Sequence, residues 1–257
     1  MKKLFVVFIA ILLCWKPAIP TAQATMKSRE EYEKTGHIVW EANPKEKIVS
    51  ITFDDGPHSI YTPIILDVLA KYNAKSTFFV LGEHAERYPE IIQRQIKEGH
   101  EVANHTYKHT YGKESNLQEE IERTADTIER LTGNRTGLFR PVGGKYNDLV
   151  IQKAGNASQL VVMWSWHQDT HDWRQPGVKR IVTKVTSGIK PGDVILMHDA
   201  GGNRWQTIKA LDQILKSLTE NGYEVVTVSE LFYRANSILP DMVEQEFKGD
   251  IKQLSGD

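Results

Sequence analysis

Two adjacent carboxylates, Asp54 and Asp55, end an apolar, β-branched run from Ile48 to Phe53, and Gly56-Pro57 then turns the chain away. Like charges side by side repel, so a buried strand ending in two acids calls for a metal ion or another cation nearby. His105 and His109 stand four residues apart. On a helical turn that spacing would aim both imidazoles to one side. Together with Asp55 they would give two nitrogens and one carboxylate with positions left open for water, the donor set of a catalytic zinc. Such an ion can bring the pKa of water down to roughly 7. Each signal alone also has a plain reading, a solvated Asp-Asp-Gly turn and two satisfied surface histidines. A zinc peptidase would carry Glu directly after the first His, where this chain has Thr106.

The elements that must hold these residues can be read from hydrophobic periodicity. Ile48–Phe53, Ser76–Val80, Glu101–Asn104, Leu138–Phe139, Leu160–Trp164, Asp193–Met197 and Tyr223–Val226 read as short strands. Between them lie helical patterns: one capped at Thr62-Pro63, and one from Pro89 burying Ile91, Ile92 and Ile96. A long helix is capped by Ser115 or Asn116 and stopped by Gly133, and further helices cover Asp148–Ala154, Val178–Val185, Trp205–Leu218 and Val228–Tyr233. Regular alternation of this kind predicts an α/β fold with a parallel sheet, closed or nearly closed as a barrel. The chemically interesting residues, Asp54-Asp55, His105, Arg140 and His198, all follow strand ends, where an α/β barrel keeps its chemistry.

Residues 1–24 read as a secretory signal peptide, with Lys2-Lys3, an apolar run from Leu4 to Cys14, Pro17 and Pro20, and Ala22-Gln23-Ala24 as the cleavage site. The apolar run is short for a membrane span, so none is expected after cleavage. Cys14 is the only cysteine, which leaves the mature chain without disulfides or thiolate ligands. The formal charge is −1, and losing the three leader lysines takes it to −4, so nothing suggests nucleic acid as a partner. Residues 25–44 read as a polar lead-in lying on the domain, 45–234 as one domain, and 235–257 as a polar tail.

Five short motifs occur in order: T-F-D-D-G-P at Thr52–Pro57, H-x-x-x-H at His105–His109, F-R-P at Phe139–Pro141, D-x-x-D-W at Asp169–Trp173, and L-M-H-D at Leu196–Asp199. In this the chain resembles the polysaccharide deacetylases, carbohydrate esterase family 4, also called the NodB-homology domain. The resemblance implies an irregular (β/α) barrel and a divalent metal, zinc above all, with Co2+ or another ion able to serve. It implies Asp54 as catalytic base, Asp55, His105 and His109 as metal ligands, and Arg140 as the partner that orients Asp54. It further implies His198 as catalytic acid oriented by Asp169, with Trp173 and Leu196 walling the pocket for the acetyl methyl. The third motif departs from the family's usual R-P-P by reading R-P-V-G-G, with Val142 and Gly143. By position, the N–H of Gly143 would be the oxyanion donor.

The expected activity is that of a secreted, cell-wall-associated N-deacetylase, acting on N-acetylglucosamine-type residues of peptidoglycan and releasing acetate. Chitin oligosaccharides, acetyl esters of xylan type, or glycan binding with weak catalysis are the alternatives. A base and an acid limb would give a bell-shaped pH–rate profile. A glycan is the expected partner and a monomer the expected state. His58, His84 and His100 read as surface or helix-end residues, Trp164 and Trp166 as a packed pair on one strand face, and Asp172 as the residue fixing the loop of Trp173. Trp40 and Trp205 read as covers of the core edge or as sugar-stacking residues at a cleft rim.

Overall fold

The computed structural model describes residues 27–109, 111 and 116–236. In chain order a short helix α1 (Arg29–Glu33) leads to β1 (Ile38–Val39) and β2 (Ile48–Asp54). These are followed by α2 (Tyr61–Lys71), β3 (Thr77–Val80), α3 (Gly82–Arg87), α4 (Pro89–Lys97), β4 (Glu101–Asn104) and α5 (Leu117–Thr132). Next come β5 (Leu138–Phe139), α6 (Asp148–Asn156), β6 (Leu160–Val162), α7 (Val178–Thr186) and β7 (Val194–His198). The last elements are α8 (Trp205–Glu220), β8 (Glu224–Val225) and α9 (Val228–Arg234).

The strands form one parallel sheet in the order β1-β6-β5-β4-β3-β2-β7, with β8 added to the start of β2. The sheet curls until the chain leaving β6 reaches β7. There the Ser165 N–H donates to the Val194 carbonyl at 3.0 Å, and Asp169 forms an isolated parallel bridge with Leu196. The result is the irregular, incompletely closed (β/α) barrel of a single domain.

Alternation along β2 explains how the barrel carries a polar site. Val49, Ile51 and Phe53 point outward into a core shared with α2 and α8. Ile48 faces the other way, into a second core with Phe79, Ala103, Leu138 and Val194. The same inward face then carries Ser50, Thr52 and Asp54, all buried. β7 repeats the pattern, with Ile195 and Met197 outward and Val194 inward, followed on the inward side by Leu196 and His198. Because the strands are parallel, Asp54 and His198 stand side by side at one end, in register across β2 and β7.

Several local expectations change. The lead-in does more than lie on the domain, because Ile38 and Val39 pair with Val161 and Val162 as an edge strand and Trp40 is wholly buried. Helix α3 was not expected, its six residues being too few to show a period. Thr62 lies inside α2 rather than capping it, and its hydroxyl serves Asp199. Ile96 is 39% exposed, while Gln95 takes the buried position. The leader 1–24, the Ser115 cap and the tail beyond Asn236 lie outside the described residues. No helix among the described residues is long and apolar enough to cross a membrane.

Candidate active site

A cleft of about 320 Å³ opens at the C-terminal end of the strands, lined among others by Asp54, Asp55, His105, His109, Gly143, Asp169, Trp173, Leu196 and His198. The sequence-derived candidates therefore meet in one place, and Arg140 lies buried behind them.

Arg140 is the deepest charge of the site. Its guanidinium donates to Asp54 Oδ1 at 2.8 Å, to Thr52 Oγ1 at 2.7 Å, and to the carbonyls of Val162 and Met163 at 3.0 and 2.9 Å. It also lies 3.9 Å from the centroid of the Phe79 ring. Thr52 in turn donates to the Ile195 carbonyl at 2.8 Å, so the arginine ties β2, β6 and, through Thr52, β7. Burial lowers the Arg140 pKa and the neighbouring Asp54 opposes that shift. A buried charge requires such complete pairing.

Asp55, His105 and His109 bring their ligand atoms within 4.8 Å of one another. His109 Nε2 lies 3.1 Å and His105 Nε2 3.6 Å from Asp55 Oδ1. His105 Nδ1 sits 2.8 Å from the Arg140 carbonyl. A carbonyl can only accept, so Nδ1 carries the proton and Nε2 offers its lone pair to the cluster. Two imidazoles and a carboxylate so arranged fit a divalent ion of the zinc type. Burial favours the neutral form of Asp55, but the His109 hydrogen bond and the imidazoles of His105 and His198 outweigh it, holding this carboxyl well below the usual range. Burial lowers the His105 pKa, while the bond to Asp55 raises that of His109.

The two histidines converge without a helical turn, contrary to the sequence reading. They lie on the loop after β4, with Thr106 at φ 71° and His109 at φ 56°. Asp55 is likewise left-handed, at φ 77°. Three non-glycine residues in that region within one site mark backbone held in place by its surroundings. Here the holders are Glu120, whose Oε2 accepts the N–H groups of Tyr107 and Lys108 at 2.9 and 2.8 Å, and Tyr107, whose hydroxyl donates to Glu86 at 2.6 Å. On the other side His84 Nδ1 donates to the Asp55 carbonyl at 2.8 Å.

The partner of His198 is Asp172, not Asp169. His198 Nδ1 lies 2.7 Å from Asp172 Oδ1, and Asp172 Oδ2 accepts from the His198 N–H at 3.0 Å and from the Thr207 hydroxyl at 2.6 Å. His171, at φ 51°, redirects the chain between the two acids and starts the short helical turn Asp172–Arg174 that slides Asp172 beneath the end of β7. Asp169 is left to accept the His171 N–H at 3.0 Å and to line the cleft. Burial opposes protonation of His198, but the charge and hydrogen bond of Asp172, with Asp55 and Asp54 adding to them, push it up to about 9. Burial likewise opposes ionisation of Asp172, and His198 overcomes it, so its pKa is lowered.

Further residues shape the site, among them Arg204, which the sequence reading did not single out. Asp199 is fully buried, raised to about 7 by burial with the charges of Asp55 and Asp54 adding to it, and accepts from Thr62 Oγ1 at 2.5 Å. It packs so close under Gly56 that a Cβ there would come within 2.2 Å of the carboxylate. Arg204 is buried at the cleft wall, bonded to the carbonyls of Ala200 and Gly201. Gly143 has φ 61°, and a Cβ there would meet Tyr111 at 3.0 Å. Trp164 lines the cleft whereas Trp166 is 57% exposed in a separate turn, so the two do not share a strand face. Trp40 is core. His100 is buried and accepts the Ser76 N–H, with burial holding it down at about 4.

Residues 41–161 match the family described as polysaccharide deacetylase. A peptidoglycan-N-acetylglucosamine deacetylase of Bacillus cereus is 46% identical over 209 residues, 80% of this chain and 98% of that protein. The crystal structure of Bc1960 peptidoglycan N-acetylglucosamine deacetylase matches with a TM-score of 0.75 and 34% identity, covering 79% of this chain and 96% of the other. BA3943 of Bacillus anthracis, described as a CE4 family pseudoenzyme, matches with a TM-score of 0.69 and 28% identity over 76% of this chain and 68% of its own. With such identity along nearly the whole of a relative, the chain belongs to the polysaccharide deacetylase family, hydrolases that act on amide bonds.

Proposed function

We propose that this protein is a secreted, zinc-dependent N-deacetylase that removes acetyl groups from N-acetylglucosamine residues of cell-wall peptidoglycan. The observation that carries the reading is the meeting of three units in one cleft: Asp54 on Arg140, Asp55 with His105 and His109, and His198 on Asp172. The relatives named for peptidoglycan deacetylation support the choice of substrate.

Asp55, His105 and His109 would hold the ion, which when bound supplies Lewis acidity to the carbonyl and to the attacking water. Asp54, kept in place by Arg140, takes the proton of that water. The Gly143 N–H, at the oxyanion position of the third motif, receives the charge that develops on the carbonyl oxygen; one such donor is worth about 10²–10³ in rate. His198 holds one proton on Nδ1 against Asp172 and gives the other, on Nε2, to the leaving amine. Trp173 and Leu196 form the wall against which the acetyl methyl rests.

The test is acetate release from peptidoglycan and from N-acetylglucosamine oligomers after chelation and after zinc is restored. Zinc-dependent release is expected, reduced by at least about 10²-fold in Asp54→Asn. A metal-loaded protein that releases nothing from either glycan would overturn the proposal and place the chain beside the pseudoenzyme.

A further inference from the structure

Six large apolar side chains stand exposed among the described residues, and four of them, Ile60, Tyr111, Trp173 and Trp205, lie on segments that follow the C-terminal ends of β2, β4, β6 and β7. Ile96 lies instead on α4, which runs toward the start of β4, and Trp166 is engaged by Trp40 and the Arg29 guanidinium. The first four therefore share the end of the barrel that carries the cleft, which Tyr111 and Trp173 line. Of the four, Trp173 belongs to the reacting pocket, and Tyr111 carries Lys145 over its ring at 4.4 Å. Trp205 has no part in the chemistry described above.

Its setting is nevertheless built. Trp205 is 45% exposed and opens α8, directly after Arg204, which walls the cleft. Tyr61 and the indole meet at right angles, with centroids 5.5 Å apart and planes at 89°, and His58 stacks on Tyr61 at 4.5 Å. The backbone N–H of Trp205 donates to Asn203 Oδ1 at 3.1 Å, which anchors the start of α8 that carries the ring. One indole is thus braced by an aromatic pair rooted in the segment just after Asp54-Asp55, which narrows its freedom before any ligand arrives. A fixed, half-exposed aromatic ring beside a cleft suits a ligand with a flat apolar face and a polar rim that stays in water. A pyranose ring has that shape, since its axial C–H bonds cover the ring face and its hydroxyls project from the edge.

We propose that Trp205, braced by Tyr61, is a stacking platform for a pyranose of the glycan chain next to the sugar being deacetylated, on the β2–β7 side of the cleft. The assignment rests on reading that cleft as a deacetylase site. It makes Trp205 a residue that sets preference for polymeric over short substrates.

The test compares wild type, Trp205→Ala and Trp205→Phe on the N-acetylglucosamine monomer, which lacks the neighbouring sugar, and on its pentamer, with acetate release as readout. Trp205→Ala is expected to raise KM for the pentamer about tenfold with kcat held, and Trp205→Phe to restore most of the loss. Calorimetric binding of the pentamer to Asp54→Asn and to Asp54→Asn/Trp205→Ala reads the same contact without turnover, and about tenfold weaker binding is expected. A pentamer KM and affinity that do not change, or a loss confined to kcat, would overturn it. If wild type releases no acetate, the deacetylase reading fails, and the binding comparison still decides whether Trp205 holds sugar.

Discussion

Replacing Asp172 by Asn tests the reassignment of the His198 partner. Asp172 is fully buried and holds His198 by both its ring and its backbone N–H. Against the opposing effect of burial, its charge and hydrogen bond are the main causes that carry His198 from an ordinary 6.5 to about 9. Without that charge the imidazole falls back toward 6.5. At pH 8 an imidazolium with pKa 9 is about 90% protonated, whereas one at 6.5 is about 3% protonated, a difference of about thirtyfold in the form able to donate. A cation held by Asp55 cancels that carboxylate's share of the field in both proteins, so the difference between them remains. The raised pKa implies activity that persists below the folded value and is lost as pH rises through it. The assay is acetate release from N-acetylglucosamine oligomers between about pH 6 and 10 for wild type, Asp169→Asn and Asp172→Asn. The alkaline limb is expected to move down in Asp172→Asn and to stay in Asp169→Asn. Reading the position of the limb rather than the rate separates titration from damage to the fold. A limb that moves in Asp169→Asn alone would refute the reasoning.

Two further outcomes follow from the geometry. Arg140→Met removes a buried cation with four acceptors around it and strands Asp54, so it should cost about 3–5 kcal/mol and lower Tm by roughly 6–20 °C; thermal melting of the purified variant checks this, and a loss below about 1 kcal/mol would contradict it. Glu120→Ala frees the backbone between His105 and His109, so zinc affinity should fall about 10–100-fold in competition titrations while the helical circular dichroism stays, and an unaltered affinity would count against Glu120 as a holder of the loop.

Much of the fold was legible because strands such as β2 and β7 are buried on both faces and read as runs dominated by apolar and β-branched residues. The order of strands and helices and the placing of Asp54, Arg140 and His198 after strand ends follow from that. Three kinds of feature were not legible. β1, two residues within a polar lead-in, and α3, six residues directly after β3, show no period of their own. The loop that bends His109 back onto Asp55 does so through positive φ values at Thr106 and His109, which no residue type at those positions announces. Contacts between distant segments, such as Thr62 with Asp199 or Glu120 with the histidine loop, exist only once the barrel has curled.

The sequence by itself determined the candidate donors and, through the resemblance carried by its five motifs, the family, because the donor types are fixed covalently and the parallel alternation of elements sends every strand end to one face. It also contained Asp172, three residues after the Asp169 that the motif resemblance named as the His198 partner. Only the tertiary structure chose between them. A left-handed His171 turns the chain so that Asp172, not Asp169, reaches beneath β7, and burial there without water to pair with leaves its charge to be satisfied by His198 and Thr207.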